Sequence, residues 1–393
     1  MPVVGIIAEY NPFHLGHQYQ IQALRGLLGE DCGVVAVMSG NFVQRGDFAL
    51  FPKHARAAAA VGCGADLVVE LPTAYAMAGA ETFAQGGVSL LAMAGVVTHL
   101  GFGSECGRLS QLEQLASCLD SEAYQAGLRR FLNEGMTFAA AREAAVRGIL
   151  GGMADCLGQP NNNLGVEYLR AIRRTGAGLE PVTVRRVGAA HDSEGDETSA
   201  SASAIRRRVL AGEPWKHLVP PAAAAALEEA AAQGLGPASA QRCGQGILAV
   251  LRRMEKEEFC RYDGGGEGLY SRFYDAVRRA ADLEELFSLV KTKRYPLARI
   301  RRMAMAAYLR LAPPPERPPY LRVLAANERG RALLREMKRL GAPVLTKPAD
   351  AGQLGPEAER LLEEERRYTD LYLLACPGRQ SPGAEYRTGP VML

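Results

Sequence analysis

The sequence contains no CxxC pair, and none of its eight cysteines lies at zinc-ligand spacing from a histidine. This excludes the common zinc-binding and thioredoxin-type motifs, so we interpret the cysteines as reduced thiols of a folded core and predict no protein-bound transition metal. The N-terminal MPVVGIIAEYNPF has no basic residue ahead of its apolar stretch, and we expect no signal peptide. The longest uncharged stretch, between Glu81 and Glu105, is interrupted by glycines and polar residues, which favours a buried helix and strand over a membrane span. We therefore expect a cytoplasmic protein with no membrane association.

The chain has 393 residues, of which 48% are hydrophobic and 23% charged, a composition typical of a folded protein of two or three domains. The net charge of +3 conceals an asymmetry. Residues 1–240 hold 18 Lys and Arg against 23 Asp and Glu, whereas residues 241–393 hold 28 against 20. This excess indicates a polyanionic partner for the C-terminal part, although a basic solvated surface explains it equally well.

Short apolar runs alternate with helical periodicity in the N-terminal part. The predicted strands are Val3 to Ala8, Gly33 to Met38, Asp66 to Leu71 and Val96 to Phe102. The predicted helices between and around them are Leu15 to Leu28, Lys53 to Val61 and Glu81 to Ala94. This alternation predicts βαβ units, and hence an α/β fold with a mostly parallel, Rossmann-like sheet covered by helices on both faces.

The rest of the chain is predicted to be mainly helical. Residues 108–175 show helical patterns, Glu180 to Val187 form a further predicted strand, and a helix is expected from Ala204. The Val219-Pro220-Pro221 segment marks a boundary. We predict a nucleotide-binding catalytic domain over residues 1–218 and a mainly helical, basic region over residues 219–393.

The segment Asn11-Pro12-Phe13-His14-Leu15-Gly16-His17 follows the first strand and opens the first helix. A helix N-terminus offers free N–H groups and a partial positive charge, and Gly16 lets a nucleotide approach the backbone. The imidazoles of His14 and His17 can donate hydrogen bonds to phosphate oxygens. This HxGH element therefore predicts a site for a nucleoside triphosphate.

A second element, Ser201-Ala202-Ser203-Ala204-Ile205-Arg206, stands at the start of another predicted helix. Serines at this position also occur as ordinary helix caps. Together with the HxGH element, however, the hydroxyls of Ser201 and Ser203 and the guanidinium of Arg206 are suited to hold the β and γ phosphates. We predict that both helix starts act on one nucleotide, with His14, His17, Ser201, Ser203 and Arg206 as the catalytic set.

These elements and the strand pattern resemble the HxGH nucleotidyltransferase superfamily. Longer segments resemble the bacterial tRNA(Met) cytidine acetate ligase family more specifically. They are GIIAEYNPFHLGH, MSGNFVQRGDFAL (Met38 to Leu50), GADLVVELPTAYA (Gly64 to Ala76), FGSE (Phe102 to Glu105), PNNNLGVEYL (Pro160 to Leu169) and KTKRYPLARIRR (Lys291 to Arg302). The resemblance runs from the first residues to beyond residue 300 and is loose only over the last part of the chain, roughly the final 70 residues. Ser203 stands where we expect threonine more often in the family, and the hydroxyl is retained.

The resemblance implies an enzyme that activates acetate with ATP as acetyl-adenylate, releases pyrophosphate, and transfers the acetyl group to N4 of the wobble cytidine of elongator tRNA(Met). Mg²⁺ is expected with the phosphates, and no obligatory protein partner is implied. The ATP-contacting residues that the resemblance implies are Ile7, Ala8, Glu9, Tyr10, Asn11, Pro12, Phe13, His14, Leu15, Gly16, His17, Gln18, Tyr19, Gln20, Gly101, Gly103, Asn161, Asn162, Arg185 and Arg186.

Two further groups of residues are candidates for the acceptor side of the reaction. Ligands of open α/β sheets bind at the carboxyl ends of the strands, so the polar residues after the second strand are expected near the acetyl group or the incoming cytosine. These are Asn41, Gln44, Arg45 and Asp47. A basic segment with interleaved tyrosine fits contact with RNA phosphates and stacking on a base. Its members are Lys291, Lys293, Arg294, Tyr295, Arg299, Arg301 and Arg302.

Two other functions stay open from the sequence. An adenylyltransferase acting on a small phosphorylated metabolite would explain both phosphate-binding elements but not the basic C-terminal part. The other is a non-catalytic RNA-binding protein that retains a vestigial nucleotide site.

Overall fold

The computed structural model describes residues 1–186, 200–264 and 268–393. The strands are β1 (Val3–Ala8), β2 (Gly33–Ser39), β3 (Phe42–Val43), β4 (Asp47–Phe48), β5 (Leu67–Leu71), β6 (His99–Ser104), β7 (Glu180–Arg185), β8 (Leu321–Ala326), β9 (Val344–Leu345) and β10 (Val391–Met392). The predicted α/β fold is confirmed. The predicted strand positions hold to within one residue at β1, β2 and β5. The fourth predicted strand, Val96 to Phe102, corresponds to β6, which begins three residues later than predicted.

The helices cover both faces of the sheet and build most of the C-terminal part. They are α1 (Leu15–Leu28), α2 (Lys53–Gly62), α3 (Thr73–Ala76), α4 (Ala80–Met93), α5 (Leu109–Leu119), α6 (Glu122–Asn133), α7 (Phe138–Leu150), α8 (Pro160–Thr175), α9 (Ala202–Ala211), α10 (Pro221–Ala232), α11 (Gly244–Arg252), α12 (Leu269–Val277), α13 (Leu283–Val290), α14 (Leu297–Leu309), α15 (Glu328–Arg339), α16 (Pro356–Leu373) and α17 (Ala384–Arg387). The helix predicted from Ala204 begins two residues earlier, because Ser201 is its N-cap.

Within the described residues, one sheet has the strand order β10-β8-β5-β2-β1-β6-β7, and β9 pairs with β8. The strands β1, β2, β5, β6 and β7 are mutually parallel, whereas β8 is antiparallel to β5. The C-terminal part therefore contributes strands to the sheet of the N-terminal part, which the sequence analysis did not anticipate. The division at residue 218 stays a prediction.

Alternate side chains of β1 and β2 point to two separate core layers. Ile7, Val35 and Val37 pack in a layer with α4 and α8. Val4, Ile6 and Val34 pack on the other side with α1, α2 and α10. Full burial of such aliphatic side chains stabilises the fold by about 1.5–3 kcal/mol each. The carboxyl ends of the parallel strands thus emerge between two covered faces.

A buried ionic cluster connects the C-terminal part to the sheet. The ammonium of Lys53 at the start of α2 lies 2.7 Å from carboxylate oxygens of both Glu70 in β5 and Glu385 in α17. The Thr73 backbone N–H and hydroxyl both donate to Glu365 of α16, each over 2.7 Å. These contacts fix α16 and α17 against the carboxyl end of β5.

A third core lies among the C-terminal helices. It joins α11 to α14 with α16 and includes Phe42 and Phe48 of the β3–β4 hairpin. The ring centroids of these two phenylalanines lie 5.1 Å apart. The hairpin that follows β2 is therefore held by helices of the basic region predicted over residues 219–393.

Candidate functional site

The start of α1 is organised by the two histidines of the HxGH element. His14 is the N-cap, and its Nδ1 accepts a hydrogen bond from the Gly16 N–H over 3.1 Å. In return, the His14 N–H donates to Nδ1 of His17 over 3.2 Å. Because both Nδ1 atoms accept, a neutral ring carries its hydrogen on Nε2 in each case. Each imidazole thus keeps one N–H donor.

The two imidazole rings are stacked, with centroids 3.8 Å apart and planes inclined by 24°. Burial, reinforced by the positive charges of Arg186 and Arg206, lowers the pKa of His14 to about 3. Burial together with the neighbouring His14 and Arg186 holds the pKa of His17 well below its ordinary value. At neutral pH both rings are uncharged donors, so nearby positive charge is left to the two arginines.

The start of α9 meets the start of α1. The Ser201 hydroxyl caps α9 by accepting from the Ala204 N–H over 3.2 Å. The Arg206 guanidinium donates to the carbonyl oxygen of Asn11 over 2.8 Å and to the Ser203 hydroxyl over 3.0 Å. Two helix N-termini separated by almost 190 positions along the chain therefore face one place. Helix N-termini attract anions through their free N–H groups and their dipoles.

Both helix starts line a cleft of about 1020 Å³ at the carboxyl ends of β1 and β6. Its polar side carries His14, His17, Ser201, Ser203 and Arg206, and Arg185 and Arg186 at the end of β7 also line it. The size and the convergence of donors suit a nucleoside triphosphate.

The opposite side of the cleft is built by α8, whose start is fixed by Glu105. The Glu105 carboxylate accepts from the backbone N–H groups of Asn161 over 3.1 Å and Asn162 over 2.7 Å. The side-chain oxygen of Asn162 in turn accepts hydrogen bonds from the backbone N–H groups of Glu105 and Cys106. Glu105 belongs to the FGSE segment, but this role was not predicted from the sequence. Its only sequence signal is an acid between a glycine-rich strand end and a helix.

The comparisons with known proteins agree with this geometry. A sequence model of the family described as HIGH Nucleotidyl Transferase matches residues 1–385. The chain is 34% identical to the tRNA(Met) cytidine acetate ligase of Syntrophomonas wolfei, with 100% of this chain and 99% of that protein covered. It is 38% identical to the protein of the same name from Caldicellulosiruptor saccharolyticus, with coverage of 95% and 94%.

This chain belongs to the tRNA(Met) cytidine acetate ligase family. Solved structures agree with that assignment. Apo TmcAL of Thermotoga maritima matches with a TM-score of 0.93 at 30% identity, and 100% of both chains is covered. The same protein bound with alpha-thio ATP matches with a TM-score of 0.91 at 30% identity, covering 100% of this chain and 99% of that one.

In this member of the ligase family, most of the residues implied for ATP line the cleft. Those that do so are Ile7, Ala8, Glu9, Tyr10, Asn11, His14, Leu15, Gly16, His17, Tyr19, Gln20, Gly103, Asn161, Arg185 and Arg186. The other five, Pro12, Phe13, Gln18, Gly101 and Asn162, do not line it. Phe13 is fully buried beneath the His17 ring, and Gly101 lies against Leu24 in the core below α1. Asn162 is fully buried as well and serves the turn after β6.

The four residues expected at the acceptor side divide into two pairs. Gln44 and Arg45 line the cleft, and the Gln44 N–H donates to the Glu9 carboxylate over 2.8 Å. Asn41 is buried, with its amide bonded to the Lys53 N–H and the Thr369 hydroxyl. Burial raises the pKa of Asp47, and this carboxyl accepts from the Phe48 N–H. Asn41 and Asp47 thus shape the hairpin rather than the cleft surface.

The basic segment also divides. Lys291, Lys293 and Arg294 are exposed on the loop that leads into α14. Tyr295 is only 8% exposed and belongs to the helical core, so the expectation that its ring stacks on a base is wrong. Arg299 forms an ion pair with Asp263 over 3.1 Å.

The β3–β4 hairpin links the segment to the cleft. The half-buried Arg302 donates to the carbonyl oxygen of Gln44 over 3.3 Å. Arg301, also half-buried, lies over the Phe287 ring, 5.6 Å from its centroid. Gly46 at the hairpin turn lies directly against the backbone of α14. The hairpin therefore bridges the cleft and the exposed basic loop.

Arg56 is a positioning residue that the sequence analysis missed. It is fully buried in α2 and donates to the carbonyl oxygens of Glu9, Ser39 and Gly40. Glu9 and Gly40 directly follow β1 and β2, and Ser39 is the last residue of β2, so these oxygens lie at the edge where the cleft opens. An arginine in an alanine-rich helix gives no sequence signal for such a role.

No three His, Cys, Asp or Glu side chains come together as a metal site in the described ranges. Nor does any helix within those ranges combine the length and apolarity needed to cross a membrane.

Proposed function

We propose that this protein is a cytoplasmic, ATP-dependent ligase that makes acetyl-adenylate and transfers the acetyl group to N4 of the wobble cytidine of elongator tRNA(Met). The observation that carries the proposal is the convergence of two helix starts on one cleft, joined by the hydrogen bond from Arg206 to Asn11. A nucleotide site beside an exposed basic loop accommodates both ATP and an RNA.

In the first step a carboxylate oxygen of acetate attacks the α phosphorus, and the bond from that phosphorus to pyrophosphate breaks. Negative charge builds on the phosphate oxygens. The Nε2–H donors of His14 and His17 and the guanidinium of Arg206 stabilise this charge, as do the free N–H groups at the starts of α1 and α9. Each well-aimed donor contributes about 3 kcal/mol to lowering the barrier.

Neutral imidazoles fit this step. A neutral ring donates one hydrogen bond without repelling the arginines beside it. An imidazolium would lose its charge as the pH rises above 7, whereas the neutral ring keeps its N–H donor. The arginines supply permanent charge over the same range. The polar side of the cleft is thus preorganised at neutral pH.

Mg²⁺ arrives with ATP as part of the substrate, because this ion prefers phosphate oxygens and water over protein cages. Among the described residues, the carboxylates that line the cleft are those of Glu9 and Glu105. Glu105 is engaged in capping α8. We therefore assign the ion to the triphosphate, with Glu9, directly after β1, as the described carboxylate that would contact it.

In the second step the cytosine N4 amine attacks the acetyl carbonyl. A carbon–nitrogen bond forms, the bond from the acetyl carbon to the adenylate oxygen breaks, AMP leaves, and N4 loses one proton. Gln44 and Arg45 stand on the hairpin side of the cleft and are placed to meet the incoming base. No covalent intermediate with the protein is needed.

The tRNA is held by the exposed part of the basic segment. Lys291, Lys293 and Arg294 offer phosphate contacts, and such contacts fix position without reading sequence. The hairpin lies between this loop and the cleft, since Arg302 donates to Gln44 and Gly46 abuts α14. An anticodon arm bound on the loop would therefore present its bases beside Gln44 and Arg45.

The direct test incubates the purified chain alone with labelled acetate, ATP, Mg²⁺ and tRNA(Met) transcript. We expect pyrophosphate release that requires acetate, and labelled N4-acetylcytidine only when tRNA is present. Transfer of AMP to a phosphorylated metabolite with acetate unused would identify an adenylyltransferase instead. Binding of tRNA with no pyrophosphate release would identify a non-catalytic RNA-binding protein.

A further inference from the structure

One side of the cleft is apolar and has no part in the phosphate chemistry described above. It consists of Ile7 at the end of β1, Phe83 of α4, Phe102 of β6, and Leu164 and Tyr168 of α8, all of which line the cleft. We name these five residues the apolar wall. Phe83 is 3% exposed, and Phe102 and Tyr168 are each 4% exposed, so these three rings are buried except where they meet the cleft.

The apolar wall lies on the opposite face of the sheet from the phosphate-binding residues. Four of its members belong to the core layer of α4 and α8, and Leu164 packs against that layer. Tyr10 and Phe13, whose rings contact His17, belong instead to the layer of α1. The cleft therefore spans the sheet edge, with donors on one side and hydrocarbon on the other.

In-line displacement at phosphorus assigns these two sides to different reactants. The attacking and leaving oxygens lie on opposite sides of the phosphorus. If the donors of α1 and α9 hold the departing pyrophosphate, the carboxylate must approach from the side of α4 and α8. The apolar wall forms this side of the cleft.

Tyr168 supplies one polar atom within this hydrocarbon surface. Its hydroxyl makes no hydrogen bond to any other residue of the described ranges, although the side chain is only 4% exposed. Burial, with the nearby Glu9 carboxylate adding to it, raises the pKa of Tyr168, so the hydroxyl keeps its hydrogen. The hydroxyl is open to the cleft and has no acceptor among the described residues, so a carboxylate bound there would accept its hydrogen bond.

We propose that the apolar wall is the acyl pocket: it receives the methyl group of acetate, Tyr168 donates to one carboxylate oxygen, and the other oxygen attacks the α phosphorus. This proposal rests on the proposed function and adds the residues that determine acyl-chain length. Leu164 is the half-exposed member of the wall and limits how long a chain fits.

The experiment measures carboxylate-dependent ATP–pyrophosphate exchange with acetate, propionate and butyrate. Leu164→Ala should raise the propionate-to-acetate ratio of kcat/KM at least tenfold, since one methylene in an apolar pocket is worth about 10–200-fold. Tyr168→Phe should raise the KM for acetate about tenfold while the KM for ATP stays within twofold.

Tyr124→Phe is the matched control, because Tyr124 is also 4% exposed in the same core layer but lies outside the cleft. It should leave both KM values unchanged. Thermal unfolding of each variant checks that the fold is retained. The propionate-to-acetate ratio of kcat/KM in Leu164→Ala is independent of partial unfolding, because unfolding lowers the activity with both substrates equally.

Two results would overturn the acyl pocket. One is an unchanged propionate-to-acetate ratio in Leu164→Ala, and the other is a Tyr168→Phe variant whose KM rises for ATP rather than for acetate, which would place the nucleotide on the wall. Failure of the proposed function can be distinguished from failure of the acyl pocket, because the wild-type protein would then show no acetate-dependent exchange at all.

Discussion

The Arg206 guanidinium in α9 donates to the carbonyl oxygen of Asn11, 2.8 Å away, immediately after β1. Its second nitrogen bonds the Ser203 hydroxyl in the first turn of its own helix. This one side chain therefore joins the two phosphate-binding elements and sets the distance between them.

Arg206→Lys should lower kcat/KM for acetate-dependent exchange about 100-fold. A lysine keeps the charge but cannot bond Asn11 and Ser203 at once, and loss of one aligned donor costs about 10²–10³-fold. The matched control is Arg207→Lys, because Arg207 is exposed on the same helix. A loss of less than threefold in Arg206→Lys would show that the link is not needed.

The buried histidines should make stability depend on pH. The folded-state pKa of His14 is lowered to about 3, from an ordinary value near 6.5 in the unfolded chain. Between these values the unfolded state binds more protons, so the free energy of unfolding falls as pH decreases below 6.5. At pH 5 the loss due to this ring is about 2 kcal/mol.

His14→Asn should remove that contribution while keeping a side chain that caps the helix. Guanidinium unfolding at pH 7.5 and pH 5 measures the change for wild type and variant. His217→Asn, at an exposed histidine, should behave like wild type. Equal losses in wild type and His14→Asn would mean that His14 is not buried in its neutral form.

Charge on the loop before α14 should govern tRNA affinity alone. Lys291→Ala combined with Lys293→Ala should weaken tRNA binding and reduce the slope of log K against log salt by about 2, one unit per phosphate contact. Acetate-dependent exchange in the absence of tRNA should not change. The control removes two exposed charges of α15, Arg335→Ala with Lys338→Ala, and should keep the wild-type slope. An unchanged slope in the loop variant would place the tRNA elsewhere.

The ionic cluster around Lys53 should be essential for stability. Its ammonium lies against Glu70 and Glu385, and Lys53→Met would leave two buried carboxylates without this partner. Breaking a buried pair in this way costs about 3–5 kcal/mol of the free energy of unfolding. Lys338→Met at an exposed position should change it by no more than about 0.5 kcal/mol. A loss below about 1 kcal/mol for Lys53→Met would contradict the arrangement.

Local signals explain what the sequence predicted well. The apolar run before Asn11-Pro12 and the periodicity after His14 place β1 and α1 almost to the residue, and Ser201 marks the start of α9. The strand β8 was missed because its LRVLAA segment follows a proline-rich stretch and contains Arg322. This charge is buried against Glu385 and donates to the carbonyl oxygens of Thr346 and Thr388, contacts that only the folded chain supplies.

Other features depend on residues distant in the chain. Tyr295 lies in a basic segment, yet packing among α11 to α14 buries it. Arg299 pairs with Asp263 from a different helical segment, so its pairing cannot be read locally. The apolar wall combines side chains of β1, α4, β6 and α8, and only the folded sheet brings them together.

The proposed mechanism requires the starts of α1 and α9 to hold one nucleotide. A crystal structure with a non-hydrolysable ATP analogue and Mg²⁺ tests it most directly. We predict phosphate oxygens within hydrogen-bonding distance of His14 or His17 and, in the same molecule of ligand, of Ser201, Ser203 or Arg206. A ligand whose phosphates touch only one of the two helix starts, or that binds outside the cleft, would contradict the account.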